Sequence, residues 1–272
     1  MKVKYYGTRG SLPVPGKDTI KYGGNTACVR INNGSTLIIM DAGTGLRKLG
    51  NELMETEFAQ GKGVAHIFFS HAHWDHISGF PFFAPAYIKG NRFFLYGCHN
   101  PDSPLRQILS RQQNWINFPV SLEEMASHIE FIDLQAGQKI KCATINISCF
   151  ALNHPAGAFS YACSVSGKIV VYASDYEHEA EFDLKLADFA GEADLLIYDA
   201  MFTPEEYQFK KGWGHSTYLE GIKIANSAGI KQLHLFHYNP EHSDQHIDEI
   251  ERLAQKLFPQ TFASKEGWEI EI

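Results

Sequence analysis

Short apolar runs alternate with longer amphipathic segments along most of the chain. Short runs rich in β-branched and aromatic residues are typical of strands, whereas apolar residues spaced three and four apart are typical of helices. The pattern predicts strands at 3–6, 27–31, 35–40, 65–69, 93–96, 129–134, 144–152, 159–166, 168–173, 193–198 and 232–236, and short closing strands over 261–272. It predicts helices at 46–58, 105–112, 177–190, 217–228 and 243–257, with Ser243 as the N-cap of the last.

This order of elements predicts an α/β fold. The 272 residues contain no repeat, low-complexity tract or linker, so we expect a single domain over 1–272. A hydrophobic content of 44% is enough for a substantial core, and no stretch is long and apolar enough to span a bilayer. We therefore expect no membrane partner.

Charge and cysteine usage restrict the partners and the compartment. The net charge of −7 provides no general attraction for long polyanions, so no long nucleic acid is expected as a partner. The first residues lack the apolar run of a signal peptide. The five cysteines form no CxxC pair and have largely apolar neighbours, which predicts reduced core residues in a cytoplasmic protein. They are Cys28, Cys98, Cys142, Cys149 and Cys163.

The strongest chemical signal is a cluster of three histidines and one aspartate within six residues, directly after the strand predicted at 65–69. Its members are His71, His73, Asp75 and His76. Neutral imidazoles and carboxylates are ligands for zinc, iron and manganese. In an extended segment His71, His73 and Asp75 would share one side. One tetrahedral ion cannot easily use all four side chains at this spacing, so two ions are favoured.

Three further residues of the same kind follow other predicted strands, namely His154, Asp175 and His237. In open α/β sheets, ligands bind at the carboxyl ends of the strands. Counting the available ligands gives His71, His73 and His154 for one ion and Asp75, His76 and His237 for the second. Asp175, which has two oxygens, would bridge the ions, although it could also be the N-cap of the helix predicted at 177–190.

The motif His-x-His-x-Asp-His with these later residues resembles the metallo-β-lactamase superfamily. The resemblance implies an αβ/βα sandwich, with two mixed β-sheets flanked by helices and a dinuclear site at one edge. Asp175 favours the phosphodiesterases of that superfamily, which carry a bridging aspartate at this place. The segment 212–217, Gly-Trp-Gly-His-Ser-Thr, is similar to an element of the ribonuclease Z and cyclic-phosphodiesterase branch in which the histidine lies beside the scissile phosphate.

Two departures from that branch are visible. The chain has no basic, glycine-rich insertion like the arm with which ribonuclease Z grips transfer RNA. It also lacks the extra Cys/His zinc site of a phosphonate-pathway cyclic phosphodiesterase, since Cys98 and His99 alone cannot build one. Both departures favour a small substrate over RNA.

The expected function is hydrolysis of a small phosphodiester, such as a cyclic nucleotide or cyclic phosphate, by a hydroxide that bridges two divalent ions. Zinc is the first expectation, and manganese or iron are alternatives. His215 would act as general acid or bind a nonbridging oxygen, and Asp75 would orient the nucleophile besides binding metal. Asp41 and Asp199 would orient imidazoles or loops.

Three alternatives remain at this stage: a ribonuclease Z-like RNA endonuclease, a thioester or lactone hydrolase, and a nonhydrolytic metal or oxygen sensor. The sensor would need a partner flavin domain. The segment 115–119 would form a lid or the contact of a homodimer. Trp74 and the residues 80–83 are predicted to pack against the protein rather than to stack on substrate. The remaining histidines of interest are predicted to be surface or sheet residues. These are His178, His234, His242 and His246.

Overall fold

The computed structural model describes residues 1–98, 103–155 and 157–272, without the side chain of Cys98. The described residues form two sheets of seven strands each. The first sheet has the order β14-β1-β2-β3-β4-β5-β6, with β1 Lys2–Gly7, β2 Cys28–Asn33, β3 Thr36–Met40, β4 Val64–Phe68, β5 Arg92–Cys98, β6 His128–Leu134 and β14 Glu269–Glu271. The second has the order β13-β12-β11-β10-β9-β8-β7, with β7 Lys139–Cys142, β8 Ile145–Leu152, β9 Ala158–Val165, β10 Lys168–Ala173, β11 Leu195–Asp199, β12 Leu233–Phe236 and β13 Thr261–Ala263.

Helices cover the outer faces of both sheets. The α-helices of the described residues are α1 Gly45–Leu53, α2 Trp74–Ile77, α3 Leu105–Gln112, α4 Ala180–Ala190, α5 Pro204–Tyr207, α6 Tyr218–Ala228 and α7 Asp244–Leu257. Short 3₁₀ helices lie at Lys17–Thr19, Glu57–Gln60, Phe80–Phe82, Ala84–Tyr87 and Leu122–Glu124. Within the described ranges, none of the helices combines the length and apolarity needed to cross a bilayer.

Three apolar layers hold the sandwich together. The middle layer lies between the sheets and includes Phe68 of β4, Tyr172 of β10 and Phe236 of β12. Ile67 points to the opposite side of β4, into the layer below α1, and Val171 points from β10 into the layer below α4, α6 and α7. Because neighbours on a strand face opposite ways, strands buried on both faces read as continuous apolar runs. The predicted αβ/βα sandwich of two mixed sheets is confirmed.

Parallel pairing determines where the functional residues gather. Strands β3 to β6 run parallel in the first sheet, and β10 to β13 run parallel in the second. The hydroxyl of Tyr172 donates to Asp41 Oδ2 at 2.7 Å, and that of Tyr161 donates to the Phe69 carbonyl at 2.6 Å, so the two sheets are joined at this edge. The carboxyl ends of β3 and β4 therefore face those of β10 and β12.

Several predicted elements need correction. The helix predicted at 46–58 ends at Leu53 because the chain turns into a 3₁₀ helix. The helix predicted at 177–190 begins only at Ala180, with Glu179 at its N-cap, so the N-cap role for Asp175 is wrong. Strand β7 was not predicted, since its alternating Lys-Ile-Lys-Cys is short and half exposed.

Buried and exposed residues also differ in part from expectation. Cys28, Cys142, Cys149 and Cys163 are buried free thiols, as predicted, while the prediction for Cys98 concerns a side chain outside the described part. Phe80 and Phe83 are buried, but Trp74 is 68% exposed, so its predicted packing role is wrong. His99 lies outside the described residues.

Candidate metal centre

The first group of metal-type side chains contains His71, His73 and His154. Their ligand atoms lie within 4.8 Å of one another. His73 Nδ1 is 3.3 Å from His154 Nε2, and the rings of His71 and His73 are 4.4 Å apart. His71 and His154 are buried, whereas His73 is exposed, so the group opens to solvent on one side. Two residues come from the loop after β4, and His154 comes from the end of β8.

The second group contains Asp75, His76, Asp175 and His237, all buried. His76 Nε2 lies 3.0 Å from Asp175 Oδ2 and 3.2 Å from His237 Nε2. His237 Nε2 lies 3.1 Å from Asp75 Oδ2. Asp75 and His76 belong to α2, so the extended geometry predicted for the motif is wrong at its end. The helical turn places both side chains on the second group.

Asp175 lies between the two groups. Its Oδ2 is 3.0 Å from His76 Nε2 and 3.3 Å from His237 Nε2, and its Oδ1 is 3.7 Å from His71 Nε2. This is the placement that a bridging carboxylate would need. The two groups contain the seven residues that the sequence analysis named as candidate metal ligands, and three of the seven come from separate strand ends.

The backbone at these strand ends adopts an uncommon conformation. Asp41, Asp175 and His237 have φ angles of 59°, 59° and 61°, in the left-handed region. Each follows a parallel strand, and the sharp turn aims its side chain across the sheet edge. Aspartate and histidine visit this region more often than most residues, but any residue other than glycine adopts it at a cost on the order of 1–3 kcal/mol. Packing around His237 therefore has to hold its backbone in place.

Two glycines allow backbone to approach the histidines closely. A Cβ on Gly10 would lie 2.5 Å from His237 Cε1, and a Cβ on Gly214 would lie 2.3 Å from His154 Nδ1. Gly214 also has a φ of 86°, and its carbonyl accepts a hydrogen bond from His154 Nδ1 at 2.9 Å. This bond leaves His154 Nε2 as the acceptor nitrogen that faces His73.

Asp41 orients His76, as predicted. Its Oδ2 accepts from His76 Nδ1 at 2.8 Å, and from the hydroxyls of Ser70 and Tyr172. A histidine whose Nδ1 donates to a carboxylate presents a more basic Nε2 to a cation. His76 Nε2 is the nitrogen that faces Asp75 and Asp175.

His215 is adjacent to the second group. Its Nδ1 donates to Asp199 Oδ2 at 2.8 Å, and its ring stacks 5.1 Å from that of His237. The ligand atoms of Asp175, Asp199, His215 and His237 also fall within 4.8 Å of one another, so His215 is near enough to be a ligand or an acid. Burial lowers the pKa of His215, but the nearby carboxylates, above all Asp199, outweigh it and raise the pKa to about 9.

Glu177 was missed by the sequence analysis. Its carboxylate accepts from the backbone N–H groups of Gly212 and Gly214 at 2.6 and 2.8 Å, and from the Tyr207 hydroxyl at 3.0 Å. These bonds fix the loop that carries His215. Only its position two residues after Asp175 could have drawn attention to it.

The electrostatics of the centre favour bound cations. Burial lowers the pKa of His71 well below its ordinary value and lowers that of His154, so both rings are neutral donors. For Asp175 burial opposes ionisation, but His237, His76 and His71 hold its pKa well below the usual range. Burial likewise lowers the pKa of His76, yet Asp175, Asp75 and Asp41 together raise it well above its ordinary value.

A buried ligand nitrogen without a hydrogen-bond partner indicates that these side chains fit a divalent ion. His71 Nε2 is buried and has no hydrogen-bond partner within the described ranges, although it faces Asp175. Such an atom is costly unless something coordinates it. Buried imidazoles and carboxylates converging on one point provide the nitrogen and oxygen ligands that divalent metals accept.

Comparison with known proteins agrees with this geometry. The model of the "Beta-lactamase superfamily domain" family matches residues 36–238. Ribonuclease Z of Lacticaseibacillus casei (strain BL23) is 22% identical over 322 aligned positions, which cover 100% of this chain and 95% of the relative. The metallo-beta-lactamase fold protein YhfI from Bacillus subtilis superposes with a TM-score of 0.73 at 22% identity, covering 99% of each chain. A diphosphatase from the PhnP family gives a TM-score of 0.70 at 16% identity, covering 100% of this chain and 97% of that one.

The chain belongs to the metallo-β-lactamase superfamily. The predicted membership of this superfamily is confirmed, and the relatives that the chain resembles include ribonuclease Z enzymes.

Proposed function

We propose that the protein is a dinuclear metal-dependent phosphodiesterase that acts on a small phosphodiester. The observation that carries this proposal is the position of Asp175, whose two oxygens face the two groups of histidines at 3.0 to 3.7 Å. A carboxylate placed between two groups of imidazoles is positioned to be shared by two ions. His71, His73 and His154 would hold one ion, and Asp75, His76 and His237 the other, with Asp175 shared.

The ions, zinc in first place and manganese or iron as alternatives, would favour ionisation of a coordinated water and neutralise phosphate charge. Asp75 has a further role on this proposal. Its Oδ2 accepts from the backbone N–H of Ser11 at 2.7 Å and lies 3.1 Å from His237 Nε2. The carboxylate is therefore held in a fixed orientation and can orient the attacking nucleophile by accepting a hydrogen bond from it.

His215 is proposed as the group that assists the leaving oxygen. Because its Nδ1 donates to Asp199, the other ring nitrogen is free to meet substrate. An N–H at that nitrogen can protonate the departing alkoxide or bind a nonbridging phosphate oxygen. Asp199 fixes the ring orientation, and its Oδ1 also accepts from the backbone N–H of Met201.

Two observations support a small substrate such as a cyclic nucleotide or cyclic phosphate. The net charge is −7, so the chain offers no general attraction for a long polyanion. An alignment of 322 positions with a chain of 272 residues leaves 50 positions of the Lacticaseibacillus ribonuclease Z without a counterpart. The structural likeness to a diphosphatase points in the same direction. The buried free thiols further suggest a reducing compartment such as the cytoplasm.

A second candidate is RNA processing, because the full-length curated relatives are ribonuclease Z enzymes. RNA binding through many phosphate contacts would weaken steeply as salt is raised, because each contact releases a counterion. A small cyclic substrate would show a shallow salt dependence.

A hydrolysis panel with purified, metal-analysed protein tests the proposal. The substrates are bis-p-nitrophenyl phosphate, cyclic nucleotides, precursor tRNA, a thioester and a lactone. We expect turnover of the first two classes, with little effect of salt on KM. Cleavage of precursor tRNA alone would establish the second candidate. Hydrolysis of only the thioester or lactone would overturn both, and no hydrolysis at full metal loading would favour a metal or oxygen sensor.

A further inference from the structure

A separate group of metal-type side chains lies where α5 meets α7 and the loop before it. Glu206 is in the first turn of α5, His242 is in the loop after His237, and His246 is in the first turn of α7. Their ligand atoms lie within 4.8 Å of one another. None of the three belongs to the two groups described above.

The contacts within this group are close. His242 Nε2 lies 2.9 Å from Glu206 Oε1 and 3.1 Å from Glu206 Oε2. The rings of His242 and His246 are 4.2 Å apart. Ligand atoms about 2.0–2.2 Å from a tetrahedral zinc ion are themselves a little over 3 Å apart, so the donors need to move little to share an ion.

His242 is the most deeply buried member of the group. It is only 3% exposed, and its Nδ1 has no hydrogen-bond partner among the described residues. Its prediction as a surface or sheet residue is therefore wrong. Burial lowers the pKa of His242, so at neutral pH the ring is an uncharged donor rather than one half of an ion pair with Glu206. Nε2 is the nitrogen that faces Glu206, so an ion shared with that carboxylate would bind Nε2, with the proton of the neutral ring on Nδ1.

We propose that Glu206, His242 and His246 form a third metal site that takes a single divalent transition-metal ion, with zinc as the best match. Two imidazoles and a carboxylate are a common set of three protein ligands for zinc, with water in the fourth position. Half-burial of Glu206 and His246 leaves a path for the ion and room for that water.

The site would tie together segments that frame the proposed dinuclear centre. The carbonyl of His242 accepts a hydrogen bond from Arg9 Nη1 at 2.6 Å, and Arg9 precedes Gly10, which passes close to the His237 ring. On the other side, α5 ends at Tyr207, whose hydroxyl donates to Glu177. An ion at this position would therefore stabilise both the loop after His237 and the segment leading to His215.

The test counts zinc by equilibrium dialysis of the full-length protein followed by elemental analysis. We expect His246→Gln and Glu206→Gln each to bind one zinc ion per chain fewer than the wild type. His128→Gln, which replaces an exposed histidine outside every group, should match the wild type. The far-UV circular dichroism spectra of all three variants should match that of the wild type, which shows that they fold.

The zinc-dependent rise in Tm gives a second readout. With the tighter sites already filled, further zinc should raise the Tm of the wild type and of His128→Gln but not that of His246→Gln. Equal zinc counts in the wild type and both cluster variants would overturn the proposal and leave Glu206 and His242 as a hydrogen-bonded pair. Because the comparison is of differences in count, it holds whether or not the main centre hydrolyses phosphodiesters.

Discussion

The two sheets contribute to the proposed dinuclear centre in different ways. The first sheet supplies His71, His73, Asp75 and His76 from one loop and the short helix after it, within six residues. The second sheet supplies single residues from separate strand ends, and each depends on the neighbouring strands for its position. They are His154, Asp175 and His237, with His215 from a loop beside them. Metal ligands that are close together in the sequence can thus be recognised from the sequence alone. Ligands from separate strands come together only in the folded protein.

The strongest test of this comparison removes the residue that serves both groups. We expect Asp175→Ala to lose most bound metal and to lower turnover of bis-p-nitrophenyl phosphate by at least about 10⁴-fold, the upper end for a lost acid or base, because both ions depend on it. Elemental analysis and initial rates measure the two effects. His237→Ala should affect the second ion alone. Retention of two ions by Asp175→Ala would show that the carboxylate does not bridge.

The next largest effect distinguishes whether His215 is a general acid or a metal ligand. His215→Ala should keep its metal content while turnover falls by roughly 10²–10⁴-fold, typical of a lost general acid. A substrate with a better leaving group than an alkoxide should be affected less, because it needs no proton. Loss of an ion from this variant would instead assign His215 as a ligand, consistent with its distance to Asp175 and His237.

Replacing Asp41, which hydrogen-bonds the proposed ligand His76, should reduce metal affinity or activity less than replacing a ligand does. Asp41→Asn keeps a residue that tolerates the left-handed backbone, but replaces one acceptor oxygen by a donor next to His76, Ser70 and Tyr172. We expect metal affinity or activity to fall about 10–100-fold. Titration with a competing chelator measures the affinity. An unchanged affinity would mean that Asp41 serves only to join the sheets.

The smallest expected effect concerns a histidine of the second sheet that binds no metal. His234 is buried in β12, its Nδ1 lies 2.6 Å from the Tyr5 hydroxyl, and its ring stacks on Trp268. Burial lowers its pKa from 6.5 to about 3. Between these pH values the unfolded chain binds the extra proton, so the contribution to stability is complete above pH 6.5 and declines as pH falls toward 3.

At pH 5 this loss amounts to about 2 kcal/mol. Urea unfolding at pH 7 and pH 5, with a chelator present to remove metal effects, should therefore show a smaller pH dependence for His234→Gln than for the wild type. His128→Gln, at an exposed position, should behave like the wild type. Equal pH dependence in all three proteins would show that His234 is not held neutral by the fold.

Much of the fold was predictable because strands buried on both faces have continuous apolar sequences. Residues such as Ile67 and Phe68 face different apolar layers, and this produces the uninterrupted apolar runs that predicted β4 and β10 to β12. Strand β7 and the start of α4 were not predicted correctly, since their burial is partial and depends on neighbouring elements. Trp74 was predicted to pack rather than to stack on substrate, yet the turn of α2 leaves it in solvent.

The sequence by itself determined the family, the αβ/βα fold and the identity of the candidate ligands, because the His-x-His-x-Asp-His motif and apolar strand ends are local signals. Only the tertiary structure decided which atoms meet. It placed Asp175 between the two groups, brought Glu177 under the loop of His215, and joined Glu206 to His242 and His246. These pairs lie far apart along the chain, so their proximity follows from strand pairing and helix packing, which no local pattern records.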